Sequence, residues 1–589
     1  MPRALREPSF GVLLGLAWLA VGVHLLLQYW GQTAVLLFDT DDAMRLVSVR
    51  ALLAGQGWFD LHEARVAPPL GYLGHWSRLI DAGIAGLILL FHPFAGPELA
   101  ERLARAAWPL LWLLPTMGGI AAIAWRTGRR EAALITLLFV LIGLPAFHQY
   151  TPGRIDHHGV QIALTVLTVA AVAWSDRRAW AAPAAGLASA LALAIGFECA
   201  PFIVLCGAAL AARFVLDPSA AGALRRYGIA LAAGGTAAFL VSVGPDRWTQ
   251  TACDAIAINT ALPLTVAGVL LAAAAAVTAG RGLPARLAAL GIAGGAAVLL
   301  FAVLEPRCLR GPFAMVDPAV WPIWLDHVKE MQPALALLRR DPTTAAVMLT
   351  FPAIGLAAGL LLLRVPELRR DFAYLVALAV LALACAITLA AVKTYSYAML
   401  LAMPLVALGV LRATARPWLD SLVVRAFVAI LVTPGVVSSA AVAAVEAVGS
   451  SPAPAAQEPG AGPCFKSDSY AQLARLPKGL VATDIDYGPF LLALTSHSAL
   501  AAPYHRQSAA IIAAHDIFAA APDAARRLVV RFGVDYVAVC KGNVPVGPKD
   551  ALRKGSLRVL LEAGRTPAWL VPITATDGPF AVYRVRLDP

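Results

Sequence analysis

Charged residues are scarce in this sequence of 589 residues. Only 14% are Asp, Glu, Lys or Arg, whereas a soluble globular chain has about a quarter, and 59% are hydrophobic. This low charge excludes an ordinary soluble protein. Seven cysteines do not make a disulfide scaffold, although Cys464 and Cys540 could pair if the polar C-terminal region is extracytoplasmic. The alternating pattern of a membrane β-barrel is also missing, because the apolar runs are continuous.

The apolar residues instead form repeated runs long enough to cross a bilayer as helices. The first run, 10–27, lacks a small-residue cleavage site and is followed by further spans, so it is interpreted as a retained helix. The sequence therefore predicts a polytopic, all-α membrane domain. We predict thirteen spans, at about residues 10–29, 104–125, 131–148, 159–174, 180–197, 199–216, 228–244, 262–280, 285–304, 343–363, 372–391, 396–412 and 422–446.

The basic residues predict the orientation of these spans. The formal net charge is +11, but the arginines lie in short loops such as "RTGRR" (126–130), a positive-inside pattern that speaks against nucleic-acid binding. With the N-terminus in the cytoplasm, every basic loop is cytoplasmic, and two long insertions, 30–103 and 305–342, face outward. The segment 79–94 would invert this order as a span, so we predict an interfacial or re-entrant helix there.

Three domains follow from these patterns. Residues 1–449 form the membrane domain, 450–463 ("SSPAPAAQEPGAGP") form a linker, and 464–589 form a small extracytoplasmic α/β domain. The expected location is a bacterial-type inner membrane, with the C-terminal domain in the periplasm and membrane lipids around the spans.

Acidic and imidazole side chains cluster on the predicted outer face. The first cluster is "FDTDDAMRLVSVR", with Asp39, Asp41 and Asp42, the second is "IDHH" at 155–158, and the third is Glu330. Together they offer the oxygen-rich ligand set that Mg²⁺ or Mn²⁺ prefers, and one imidazole suits Mn²⁺ better. An ion there would neutralise a departing phosphate, and on a membrane protein the natural phosphate is that of a lipid carrier.

The order and spacing of these motifs resemble the GT-C class of integral-membrane glycosyltransferases, especially oligosaccharyltransferase catalytic subunits. In "DDAMRLVSVRALLAG" Asp41 is followed by Arg50 and Gly55, as the catalytic Asp of that family is followed by an Arg and a Gly. "APPLGYLGHW" (67–76) is similar to the Pro-Leu-Gly segment of the same loop. "IDHHGVQI" matches the family's second motif, which places Asp156 and His158 in metal-ligand positions with His157 between them.

The resemblance extends to the C-terminus, with departures. Glu330 in "HVKEMQP" is similar to the Glu of that family that contacts the acceptor and the metal. Lys393 lies at roughly the position where the family has an Arg beside the acceptor or donor. "DIDYG" (484–488) resembles the Trp-Trp-Asp-Tyr-Gly signature, which implies substrate contacts for Asp486 and Tyr487, but both tryptophans are replaced. The family's Arg before the second motif is Gln149 here, so Arg154 either replaces it or caps a turn.

The resemblance implies an inverting, metal-dependent transfer of a sugar from a polyprenyl (pyro)phosphate to an acceptor on the extracytoplasmic side. The expected catalytic groups are Asp41, Asp42 and Glu330, and the choice of catalytic carboxylate among Asp39, Asp41 and Asp42 is open. The expected ligands of Mn²⁺ or Mg²⁺ are Asp41, Asp156 and His158. The expected substrate contacts are those of Arg154, His157, Lys393, Asp486, Tyr487 and Arg307.

The sequence leaves the acceptor, the roles of several residues and the function class open to more than one interpretation. The acceptor is a lipid, glycan or protein, and the altered signature predicts that it is not a sequon asparagine. Arg307 could equally meet lipid head groups, Glu198 could be a helix-to-helix hydrogen bond, and "PYHR" (503–506) could be a surface loop or could reach over the site. The alternatives are a transporter or lipid flippase, disfavoured by the position of the acids at loop ends and the lack of an internal repeat, and an inactive relative.

Overall fold

The structure is a computed structural model that describes residues 9–449, 462–542, 554–573 and 578–586. A large helical domain is followed by a small α/β domain, as predicted from the sequence. Most of the predicted linker, 450–463, lies outside the described residues.

The N-terminal part contains the first long insertion and one unusually long helix. Helix α1 (Phe10–Tyr29) precedes α2 (Gln32–Val35), α3 (Thr40–Leu53) and a short antiparallel pair, β1 (His62–Glu63) and β2 (Tyr72–Leu73). Helix α4 (Arg78–Leu141) then runs for 64 residues, but its backbone breaks at Gly96 and again at Gly128 and Arg129. It is therefore three helical pieces, of which the first is the predicted interfacial segment.

The remaining helices of the membrane domain follow in chain order. They are α5 (His158–Trp174), α6 (Ala181–Ile195), α7 (Ala200–Leu216), α8 (Ala221–Ser242), α9 (Ile258–Thr278), α10 (Leu283–Leu304), α11 (Val320–Ile323), α12 (Ala334–Arg340), α13 (Pro342–Leu362), α14 (Phe372–Ala390), α15 (Tyr395–Ala413), α16 (Leu422–Leu431) and α17 (Pro434–Ala447).

Each predicted span falls on one of these helices or helical pieces, with two corrections. The span predicted at 131–148 ends as an α-helix at Leu141, because Gly143 and Pro145 interrupt it and a 3₁₀ turn, Leu144–Tyr150, follows. The last span is two helices, α16 and α17, bent by 49° before Pro434. By length and composition, seven described helices could cross a membrane, or up to eight with that bent pair. The chain is a multi-pass membrane protein, and the count of thirteen stays a prediction.

The C-terminal domain is a five-stranded mixed sheet with helices packed on it. Its elements are α18 (Ala471–Ala474), β3 (Leu480–Ala482), α19 (Gly488–Leu494), β4 (Ser498–Ala499), α20 (Ser508–Ala519), α21 (Pro522–Phe532), β5 (Tyr536–Cys540), α22 (Leu557–Glu562), β6 (Leu570–Pro572) and β7 (Phe580–Val585). Strands β4, β3 and β5 are parallel, and β7 pairs antiparallel with β5 and β6, in the order β4-β3-β5-β7-β6.

Both long insertions pack against this domain. In the first insertion Val66 bridges to Ala499, and Leu36 bridges to Lys466. In the second insertion an apolar cluster that includes Val320 and Trp324 packs on Ile511 of α20. Both insertions and the C-terminal domain therefore meet at one end of the helices.

Two disulfides fix this end of the molecule. Cys464 pairs with Cys540 inside the C-terminal domain, which the sequence left open, and Cys253 pairs with Cys308, which it did not indicate. The second disulfide ties the segment between α8 and α9 to the start of the second insertion.

Candidate active site

The N-terminus of α3 carries the first acidic cluster. Asp39 caps the helix, since its Oδ1 accepts the backbone N–H groups of Asp41 and Asp42 at 3.0 and 2.9 Å. Acidic side chains in a first turn are also favoured by the helix dipole, which explains how Asp41 and Asp42 are accommodated there.

Asp42 joins α3 to the turn that precedes α5. Its side chain is fully buried, and its Oδ1 accepts the backbone N–H groups of Ile155 (2.6 Å) and Asp156 (3.0 Å). This contact aligns the two predicted motifs, "FDTDDAM" and "IDHH", although more than a hundred residues separate them.

Arg154 lies among three of the carboxylates. Its guanidinium donates to Asp39, to Asp156 Oδ2 at 2.6 Å and to Gln149 Oε1 at 3.1 Å, and it lies 3.3 Å from Asp42 Oδ2. Oxygen atoms of Asp39, Asp42 and Asp156 lie within 4.8 Å of one another around this cation. Arg154 therefore compensates buried negative charge, and it contacts the Gln149 side chain that stands where the family has its arginine.

The electrostatic environment separates Asp156 from Asp41. Burial alone would raise the pKa of Asp156, but Arg154 and the neighbouring histidines hold this pKa well below its usual range. Asp41 lacks such a partner: burial and the charges of Asp39 and Asp156 raise its pKa to about 7. Among the described residues its carboxylate has no hydrogen-bond partner, so its oxygens are available to a ligand.

The second motif continues into a chain of polar contacts. The backbone N–H of His158 donates to Asp156 Oδ1 at 2.9 Å, and His158 Nδ1 lies 3.1 Å from Glu198 Oε1. His158 Nε2 faces Asp156 Oδ2 at 4.0 Å. Glu198 also accepts the Tyr397 hydroxyl at 2.8 Å, so it joins α5 and α15 to the turn that precedes α7.

Lys393 connects this chain to the second insertion. Its Nζ lies 3.0 Å from Glu330 Oε1 and 3.6 Å from Glu198 Oε2. Glu330 is about half exposed, and its charge adds to those that raise the pKa of Asp41. The three acidic clusters predicted from the sequence are thus brought together at one site.

His157 lies beside both His158 and Trp76, and one of its ring nitrogens is within 4.8 Å of a His158 nitrogen and a Glu198 oxygen. The two rings have centroids 4.2 Å apart, and the Trp76 ring lies 6.3 Å from His157. Burial and the adjacent His158 lower the pKa of His157 well below its ordinary value, so the ring is neutral. His157 therefore offers an uncharged imidazole beside an aromatic side chain.

The "PYHR" segment reaches over the site instead of forming an isolated surface loop. The Tyr504 hydroxyl donates to the carbonyl of Thr40, next to Asp41, at 3.0 Å. His505 and Arg506 bind Asp254, with contacts of 2.6 to 2.7 Å. The sequence analysis did not single out Asp254, and no local motif around it signals a partner some 250 residues away.

Three of the predicted substrate contacts belong to the C-terminal domain or to the second insertion. Tyr487 packs against Phe465 and Phe580 in an apolar cluster that the C-terminal domain shares with the first insertion. Asp486 is its neighbour, and burial together with the charge of Asp484 raises the pKa of Asp486 to about 6.

Arg307 is the third of these. Its guanidinium binds Glu305 at 2.7 Å on the surface, and no described contact joins it to the acidic cluster.

Asp484, which replaces a tryptophan of the signature, binds Arg558 with both oxygens at 2.9 and 2.7 Å.

Comparison with known structures identifies the fold. The chain is similar to the oligosaccharyltransferase of Archaeoglobus fulgidus in its apo form, with 15% identity, a TM-score of 0.65, and coverage of 99% of this chain and 75% of that one. It is also similar to the archaeal oligosaccharyltransferase AglB from the same organism, in complex with an inhibitory peptide and a dolichol-phosphate (13% identity, TM-score 0.63, covering 90% and 69%).

A third similar structure is the same Archaeoglobus fulgidus enzyme in complex with Zn and sulfate (15% identity, TM-score 0.57, covering 97% and 73%). The chain has the GT-C fold. No protein-family profile and no curated protein matches the sequence. The predicted fold class is confirmed, whereas identities this low leave the roles of individual residues as predictions.

Proposed function

We propose that this GT-C chain transfers a sugar or oligosaccharide from a polyprenyl (pyro)phosphate to an acceptor, with inversion, on the extracytoplasmic face of a bacterial-type inner membrane. The observation that carries the proposal is the Asp41 carboxylate, which has no hydrogen-bond partner among the described residues and whose pKa is influenced by the charges of Asp156, His158 and Glu330. The dolichol-phosphate bound to the archaeal relative supports a polyprenyl-linked donor.

The geometry favours Asp41 over its two neighbours as the reacting carboxylate. Asp39 caps α3 and binds Arg154, and Asp42 accepts two backbone N–H groups. Asp41 is left to accept a hydrogen bond from the acceptor's nucleophile and to increase its electron density as the new glycosidic bond forms. A pKa near 7 suits this role, because a carboxylate with a higher pKa is a better proton acceptor.

We infer that Asp156 and His158, together with Asp41, would hold Mn²⁺ or Mg²⁺. His158 Nε2 and Asp156 Oδ2 lie 4.0 Å apart, a separation that two ligands each about 2.1 Å from one ion can span, and Asp41 adds an uncommitted carboxylate. A bound ion would stabilise the negative charge of the departing phosphate. One relative was solved in complex with Zn and sulfate, which supports cation binding, and the choice of Mn²⁺ or Mg²⁺ is our prediction.

The other residues of the site position these groups. Arg154 keeps Asp156 ionised and holds it toward His158. Lys393 is placed to pair with a phosphate if Glu330 turns toward the acceptor, since its present partners are Glu330 and Glu198. Trp76 and His157, whose ring centroids lie 6.3 Å apart, add an aromatic neighbourhood beside these charged groups.

Two observations support the extracytoplasmic orientation. Both disulfides lie at the end of the helices that carries the site, and disulfides persist in oxidising compartments. The loops at the opposite end are basic, as cytoplasmic loops are. An impermeant thiol reagent applied to intact cells should label a Gly57→Cys variant, because Gly57 is exposed in the first insertion. Protection of that cysteine would reverse the orientation.

Purified protein tests the activity directly. Incubation with lipid-linked sugars extracted from its host, followed by mass spectrometry of the products, should show a sugar moved from the lipid to an acceptor. Asp41→Asn should fail to make that product, since it keeps the shape of the side chain and loses its charge. Transport of the intact lipid without cleavage of the sugar–phosphate bond would favour the flippase alternative.

A further inference from the structure

The two ring nitrogens of His158 have different neighbours. Nδ1 lies 3.1 Å from Glu198 Oε1, and Nε2 points toward Asp156 Oδ2 at 4.0 Å. Histidines that bind metals in proteins share this arrangement: one nitrogen faces the ion, and the other donates its hydrogen to a carboxylate or carbonyl that fixes the ring.

Glu198 is itself held in place from two further sides. The Tyr397 hydroxyl donates to its Oε1 at 2.8 Å, and Lys393 Nζ lies 3.6 Å from its Oε2. The residue precedes α7, Tyr397 belongs to α15, and His158 opens α5. Glu198 is thus a largely buried carboxylate whose oxygens are oriented by three separate parts of the membrane domain.

We propose that Glu198 is a positioning residue of the metal site, which accepts the Nδ1 hydrogen of His158 and so presents the Nε2 lone pair to an ion shared with Asp156. The inference rests on the proposed function, because it assumes that His158 and Asp156 are ligands. It adds a residue outside the predicted motifs and specifies which nitrogen of His158 binds.

A purely structural role would have a different pattern of contacts. A glutamate that only links helices needs no particular imidazole nitrogen and no further cation beside it. Here the carboxylate lies at Nδ1 and can accept the hydrogen of that nitrogen, so Nε2, which faces Asp156, is the nitrogen that would bind an ion in place of its proton. Because a fixed, basic imidazole binds more tightly than a mobile one, loss of the carboxylate should weaken the ion.

The test measures Mn²⁺ binding to the full-length protein in detergent, without donor or acceptor. Titration followed by electron paramagnetic resonance gives the dissociation constant for wild type, Glu198→Ala and Glu198→Gln. Glu198→Ala should raise the Kd about 10–100-fold. Glu198→Gln should raise it less, since the amide oxygen still accepts the Nδ1 hydrogen. Glu101→Gln, which loses the acidic partner of Arg50 away from the site, is the matched control and should leave the Kd unchanged.

A spectroscopic readout separates positioning from general destabilisation. The spin-echo modulation of bound Mn²⁺ should contain the signal of a coordinated imidazole nitrogen in wild type, lose it in His158→Ala, and show a weaker signal in Glu198→Ala. An unchanged Kd and unchanged nitrogen signal in Glu198→Ala would overturn the inference, and so would Mn²⁺ binding that does not require Asp156. Neither result decides whether the protein transfers a sugar, because that activity is measured separately with the donor.

Discussion

The two ends of the helical domain handle buried charge in opposite ways. At the basic end, Arg126 binds Asp176 and Asp371, and both carboxylates remain partly exposed, at 18% and 27%. At the other end, Arg154 faces Asp39, Asp42 and Asp156, of which Asp42 and Asp156 are 0% and 2% exposed. One end is an ordinary ion-pair network at a surface, and the other concentrates acids away from water.

This difference supports our proposal that the acidic end is the functional end. Negative charge without a cation beside it is costly in a poorly hydrated site, and carboxylates with strongly shifted pKa values cluster at functional sites. Asp41 carries the cost here: no arginine or lysine binds it, and its pKa is raised to about 7. The effect of removing a charge at the acidic end can therefore be compared with the effect of removing a like charge at the basic end.

The largest effect is expected for Asp41→Asn. The amide cannot accept a proton from the nucleophile or bind an ion as a carboxylate does, so the rate of sugar transfer should fall about 10²–10⁴-fold. Measurement uses the purified protein with its lipid-linked donor. Asp176→Asn, which removes a carboxylate from the basic end, is the control and should keep nearly full activity. Equal losses in both variants would mean that Asp41 has no special role.

Removal of the arginines compares the two ends in stability. Arg154→Met leaves buried carboxylates without a partner and should lower the free energy of unfolding by about 3–5 kcal/mol. Arg126→Met should cost less, because its partners can turn to water. Thermal unfolding in detergent measures both.

The pH dependence of these variants has a defined sign. Carboxylates that lose Arg154 have a raised pKa in the folded state, so protonation favours folding, and the Arg154→Met variant should gain stability as the pH falls from 8 toward 5. A variant that loses stability over this range would show that Arg154 does not compensate these acids.

Sequence reasoning singled out most of the residues that the structure brings together in the acidic cluster, because these residues belong to local motifs. The acids of "FDTDDAM" and the "IDHH" turn each lie at a helix N-terminus, where the type and spacing of residues are informative, and the orientation rule placed them at one end. The helices were found for a similar reason, since apolar length alone predicts them.

Long-range contacts are what the sequence could not supply. Tyr487 was expected at the substrate because of the "DIDYG" resemblance, yet its ring is buried in an apolar cluster where the first insertion meets the C-terminal domain. Asp254 meets His505 and Arg506 only because the second disulfide and the "PYHR" segment bring three distant regions together. The breaks inside α4 also depend on left-handed backbone at Gly96 and Arg129, which hydropathy does not report.

A smaller effect than those of the Asp41 and arginine substitutions is expected in the pH dependence of the sugar-transfer rate. Asp41 must be ionised to accept a proton, and its pKa near 7 predicts that the rate falls about tenfold per pH unit below neutrality. Bound cation favours the carboxylate, so saturating Mn²⁺ should move this limb to lower pH. Initial rates between pH 5.5 and 8.5 at low and high Mn²⁺ measure the shift. A flat profile at low Mn²⁺ would exclude Asp41 as the titrating group.

The smallest difference is expected between two peptide acceptors. In the signature that this chain resembles, the hydroxyl of a sequon Ser or Thr is bound where "DIDYG" stands, but here the Asp484 carboxylate is occupied by Arg558 and the Tyr487 ring is buried. Loss of an apolar contact to a Thr methyl costs about 1–3 kcal/mol, enough to remove a modest preference. A fluorescent Asn-x-Thr peptide and its Asn-x-Ala counterpart should therefore give the same yield with the native lipid-linked donor, close to background for both. A glycosylated Asn-x-Thr peptide that disappears with Ala would show that the C-terminal domain reads a sequon despite its salt bridge, and the acceptor would then be a protein.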